Sequence, residues 1–133
     1  MEFKGKTVYS TVEIKSGGKH RIHALKKNDK CEVLFLLADW KKKYKKESKI
    51  LSRHLDRTAE LGITRNETQF KKVRKSGIYE FKAGKLRLFC CFEGENIILL
   101  TNGLVKSGRQ EQSRQIDKAE RLMNEFRAYK KRC

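Results

Sequence analysis

A chain of 133 residues suits one compact domain, and 38% hydrophobic against 37% charged residues is a lean but foldable composition once the apolar positions fall into periodic segments without proline. The 33 Lys and Arg outnumber the 16 Asp and Glu, and the formal charge of +17 opposes folding by self-repulsion while favouring a polyanionic partner, nucleic acid above all. No stretch is apolar for long enough to span a bilayer, and the opening Met1-Glu2-Phe3-Lys4 lacks a signal peptide's apolar region, which predicts a cytoplasmic protein with no membrane partner.

In chain order, Thr7 to Ile14 is β-branched and aromatic and predicts a strand. Ser16-Gly17-Gly18 predicts a turn and His20 to Leu25 the returning strand, so that residues 1–30 form an N-terminal β-hairpin. Asn28 or Asp29 offers a helix N-cap, and Asp29 with Glu32 has capping-box spacing. Val33, Leu36, Leu37, Trp40 and Tyr44 then recur at helical spacing from Cys31 to about Lys46, although the dense run Val33 to Leu37 also suits a buried strand. From about Glu47, a second helix carries Ile50, Leu51, His54, Leu55, Thr58 and Leu61 on one face and ends at Gly62. Residues 31–62 are thus a helical pair.

Beyond it the period becomes two. Ile78 to Lys82, Leu86 to Glu93 and Ile97 to Thr101 predict three strands, and their short Ala83-Gly84 and Gly94-Glu95-Asn96 connections make residues 77–102 an antiparallel meander. A final helix over 110–130 places Ile116, Ala119, Leu122 or Met123, and Phe126 on one stripe. There is no internal repeat, linker or low-complexity tract. The whole chain, 1–133, reads as a single α+β domain: a small antiparallel β-sheet packed against two helices of the N-terminal half and a C-terminal helix.

Strand alternation sorts the meander's side chains. Tyr79, Phe81, Leu88 and Phe92 are expected against the helices, leaving Glu80, Lys82 and Arg87 on the open face of the sheet, where Phe89 and Cys91 also point. Three basic groups flank or occupy these strands: Lys71, Lys72, Arg74 and Lys75 before them, Lys82, Lys85 and Arg87 within, Lys106 and Arg109 after. Converging on one surface, they would hold a single-stranded backbone, with Phe89 as a stacking platform. Solvated surface charge is the plainer reading of any one of them. Lys41, Lys42, Lys43, Lys45 and Lys46 form a separate cluster that suits a solvated helical face, phosphate tracking or docking of an acidic partner segment.

Several enzyme classes lack their motifs. The sequence contains no HExxH, no GxxxxGK phosphate loop and no GxSxG elbow, and His20, His23 and His54 are scattered, with His54 on an apolar stripe. Cys31, Cys90, Cys91 and Cys133 form no CxxC pair and read as reduced thiols, so neither a metal site nor another cofactor is expected. Metal-free cleavage of RNA remains feasible. It needs the ribose 2′-hydroxyl deprotonated, the leaving oxygen protonated and the added charge on phosphorus stabilised. Arginine's planar fork suits the last task, lysine can take part in proton transfer, and Glu80 is a candidate base whose alternative is an ion pair with Lys82 or Arg87.

Gly77-Ile78-Tyr79-Glu80-Phe81-Lys82, Leu86-Arg87-Leu88-Phe89, Ile97-Ile98-Leu99-Leu100 and Lys106, together with Cys31 to Leu36 and Glu60-Leu61-Gly62 upstream, resemble in order and spacing the RelE/HigB-type toxins of the RelE/ParE superfamily from bacterial toxin-antitoxin systems. The likeness covers about residues 31 to 126. It implies the superfamily's sheet-on-helices fold and an endoribonuclease that cleaves messenger RNA, in many relatives within a translating ribosome, inhibits translation and is neutralised by a cognate antitoxin. By position it implies catalytic roles for Arg87 at the scissile phosphate and for Lys82 and Lys106. Lys82 stands where arginine is common, and Ser107 where a second lysine is common, with Arg109 close by. Tyr129 is a remote candidate for a late proton-transfer residue. Two other classes stay open: a non-catalytic RNA- or DNA-binding module and a ParE-like gyrase inhibitor.

Overall fold

The computed structural model describes residues 6–132; the terminal residues read above against a signal peptide, and Cys133, lie outside the described residues. Six strands, β1 (Tyr9–Ser16), β2 (Arg21–Lys27), β3 (Phe70–Arg74), β4 (Ile78–Ala83), β5 (Leu86–Glu93) and β6 (Ile97–Val105), form one sheet in the order β1-β2-β6-β5-β4-β3. Among the described residues three helices accompany the sheet: α1 (Glu32–Lys43), α2 (Lys45–Leu61) and α3 (Arg109–Arg132). The class is α+β. All neighbouring strands are antiparallel except β2 and β6, which run parallel, so the N-terminal hairpin extends the meander's sheet.

Two local expectations change. Asp29 does not cap α1: Asn28 and Asp29 both take left-handed backbone angles, closing a turn in which Lys27 and Lys30 exchange backbone hydrogen bonds. Cys31 precedes the helix without a side-chain cap. The basic run before the meander is itself an edge strand, because Phe70 is buried and stacks on Tyr79 at 5.3 Å and against Phe81 at 4.7 Å.

Alternation sorts the strands into two cores. On one face, α1 and α2 bury Val33, Trp40, Leu51 and Leu55 against Ile22, Phe81, Leu88, Ile98 and Leu100. On the other, α3 buries Ala119, Leu122, Met123 and Phe126 against Ile78, Phe89, Cys91 and Leu99. The sheet is therefore covered on both sides. The face expected to stay open is covered by α3, whose apolar stripe has nowhere else to be buried. Cys90 and Cys91 fall on opposite faces, both free and fully buried, and burial pushes both thiols up, Cys91 to about 12.

Candidate functional site

At the end of the sheet where β4 turns into β5, an open depression of about 650 Å³ is lined by Gly84, Lys85, Arg87, Lys106, Ser107, Gly108 and Arg109. Three segments build it. The β4–β5 turn supplies Lys85, with Gly84 taking the positive φ (59°) the turn requires. β5 supplies Arg87, and the β6–α3 connection supplies Lys106 and Arg109. The turn is tied to that connection by a hydrogen bond from the Lys106 amide to the Lys85 carbonyl, 2.7 Å. β6 lies close to β5 here because Gly103, opposite Leu88, has no side chain: a Cβ on it would stand 2.5 Å from the Arg87 carbonyl oxygen.

Arg87 is the floor of the depression, with a side chain only 11% exposed. Its Nη1 donates to the carbonyls of Gly84 (2.6 Å) and Leu86 (3.0 Å), which fixes the guanidinium at the turn. Its Nε is buried without a hydrogen bond, 3.9 Å from Glu80 Oε1, and Nη2 donates to no described residue. Nε is closed off beside Glu80, so Nη2 is the guanidinium donor that an incoming anion could meet, at a strength suited to a charged acceptor. The first turn of α3 adds to the field. Backbone N–H groups at a helix start have no intrahelical acceptor, and the helix dipole is positive there. Lys85, Lys106 and Arg109 are exposed around the rim.

Glu80 is 3% exposed and accepts a hydrogen bond from Gln112 Nε2 at 3.0 Å. Its carboxylate faces Arg87 and the first turn of α3 instead of solvent, which is the geometry of a counterion and not of a base reaching for a substrate hydroxyl. Lys82 stands opposite Arg87 in register on the same face, half-buried.

The other sequence candidates are distributed elsewhere. Phe89 is fully buried in the α3 core and offers no stacking surface. Arg74, at the far end of β3, is held by Asp117 (2.9 Å) and Glu120 (3.1 Å) of α3. The Ser76 hydroxyl and then the Arg74 guanidinium hold the Glu120 carboxyl below its usual range. Lys72 lies over the Tyr79 ring on the opposite face of the sheet, and Lys75 follows β3 beyond Arg74. Lys71, opposite Glu80, and Arg74, opposite Ile78, share the Arg87 face, and neither lines the depression. Tyr129 packs edge-on against Tyr9 and lines a different depression. His54 sits half-buried beside Phe70 and Phe81, its pKa lowered by burial and by Arg57, and serves packing.

Sequence reasoning does not bring Gln112 or Gly108 to the site, and it names Ser107 only as a departure from a lysine pair. Ser107 and Gly108 carried a signal, since they join the basic connection to a predicted helix start. Gln112 carried none: its role depends on α3 crossing Glu80, a contact between residues 32 positions apart in sequence.

A family model described as phage derived protein Gp49-like (DUF891) matches residues 37–124, more than half of the chain. That span holds α2, the strands β3 to β6 and all of the depression's lining residues. No curated protein and no solved structure matches.

Proposed function

We propose that this chain, which belongs to the phage-derived, toxin-like Gp49-like family, is a RelE/HigB-type toxin that cleaves messenger RNA without a metal ion. The observation that carries the reading is the convergence of Lys85, Arg87, Lys106 and Arg109, from three segments, around one depression at the positive end of a helix. A phosphodiester in the depression accepts from the spare donors of Arg87. Attack by the neighbouring 2′-hydroxyl, whose proton passes to solvent water in the open depression, then puts added charge on phosphorus, and Arg87 with the rim cations stabilises it. The bond from phosphorus to the 5′-oxygen breaks, leaving a cyclic phosphate on one fragment and a 5′-hydroxyl on the other. Lys106 protonates the departing oxygen, Lys85 and Lys82 hold the flanking phosphates, and Glu80 with Gln112 positions Arg87. The setting is the cytoplasm, the substrate a message on a translating ribosome, and the restraint a cognate antitoxin protein.

Induced expression tests this directly. The wild-type chain is expected to arrest growth with loss of messenger RNA, and Arg87→Ala and Lys106→Gln to relieve the arrest. Lys106 is exposed, so its substitution leaves folding intact. Undiminished arrest in both variants refutes the mechanism; arrest with intact messages and damaged DNA points to gyrase inhibition instead.

A further inference from the structure

The lysines of the α1–α2 corner contribute nothing to the Arg87 depression, yet three lysines of this region line a separate feature. Between α1, α2 and the edge strand β1 runs a groove of about 530 Å³ with Ile14, Leu37 and Leu55 as its apolar floor. Lys15, Lys41, Lys45 and Lys49 stand around it, and no lining residue is acidic. Lys15 is paired with Asp56 at 2.8 Å, whereas Lys41, Lys45 and Lys49 are exposed and pair with no carboxylate among the described residues. Lys45 and Lys49 are one turn apart on α2, where two like charges repel and destabilise the helix.

We infer that this groove docks an acidic amphipathic helix of a partner protein, with aliphatic side chains on the Ile14–Leu37–Leu55 floor and Glu or Asp along the lysines. Charge complementarity fixes the sign of the partner, and the floor fixes its class. A single-stranded nucleic acid shares the sign but gains its affinity by stacking bases on aromatic rings, and the lining contains none. An extended segment added to β1 fits less well, because a register shift between Glu13 and Lys15 interrupts the edge at the groove. The groove and the Arg87 depression have no residue in common, so the inference does not rest on the RNA reading.

The test uses the full chain, isotope-labelled, with a synthetic 16-residue helical peptide carrying leucines at i, i+4 and i+7 between glutamates. The controls are a scrambled peptide of the same composition and a uridine 12-mer. The ordered peptide is expected to shift resonances of Ile14, Leu37, Ser48, Ser52 and Leu55, to bind at least tenfold tighter than the scramble, and to lose at least tenfold in the Lys45→Glu/Lys49→Glu variant. That variant should bind the 12-mer as the wild type does. Equal binding of the two peptides, shifts elsewhere, no binding at all, or loss of RNA affinity in the variant overturns the proposal.

Discussion

Arg87 and Glu80 show how one buried ion pair constrains what a mutation can teach. Both side chains are nearly closed to water, at 11% and 4% exposure, and their closest charged atoms lie 3.9 Å apart. Removing the arginine leaves a buried carboxylate with only Gln112 as a partner, and such uncompensated charges destabilise proteins by about 3–5 kcal/mol. Arg87→Ala is therefore expected to lower the urea midpoint as well as to abolish toxicity. Adding Glu80→Gln should restore much of the stability, since a neutral amide can still meet Gln112, while toxicity stays lost. Urea unfolding of the single and double variants, run beside growth assays, checks both halves. If the double variant regains toxicity along with stability, Arg87 is a structural residue and nothing more. Strand alternation alone assigns these two side chains to one face. Whether that face lay open was not legible, because period-two patterning says which side chains are coplanar and nothing about what lies above them.

Among the elements, the N-terminal hairpin is held at its tip by α2. The Ala59 carbonyl, near the helix end, accepts hydrogen bonds from the amides of Lys19 and His20, both at 2.9 Å. Gly17 packs against the same turn so closely that an added Cβ would stand 2.5 Å from the Ala59 carbonyl carbon and oxygen. Backbone atoms cannot step aside as a side chain can. Gly17→Ala should thus push the hairpin off α2 and cost about 1–3 kcal/mol, the usual range for overpacking. Hydrogen exchange is the sharper readout: the amides of Lys19 and His20 should lose protection first, ahead of β4 and β5. A uniform loss across the sheet would mean that the hairpin folds as one unit with the rest. The Ser16-Gly17-Gly18 turn itself was readable, since its composition acts locally. Its docking on α2 was not, and neither was β3, where Phe70 and Val73 interrupt a basic run too short to show a period. The parallel pairing of β2 with β6 also left no local trace, because it joins segments separated by two helices and three strands.

For the molecule as a whole, the charge of +17 raises the question of whether polyanions bind at one place or everywhere. Three sets of cations stand out in the structure. Some are neutralised internally, as Arg74 is by Asp117 and Glu120, and Arg127 and Lys130 are by Glu93. Others line the α1–α2 groove, and a third set surrounds Arg87. Only the last is proposed to hold phosphates, and counterion release turns that statement into a number. Single strands release roughly 0.7 counterions for each phosphate neutralised. Three or four contacts among Lys82, Lys85, Arg87, Lys106 and Arg109 therefore predict a slope of roughly −2 to −3 when the logarithm of affinity is plotted against that of salt. Lys106→Gln should flatten the slope by about 0.7, and Lys45→Glu/Lys49→Glu should leave it unchanged. Titration of a labelled uridine 12-mer at four or five salt concentrations measures all three. A slope far steeper than −3, or one indifferent to position 106, would mean that RNA spreads over the whole basic surface and that the Arg87 depression has no special claim on it.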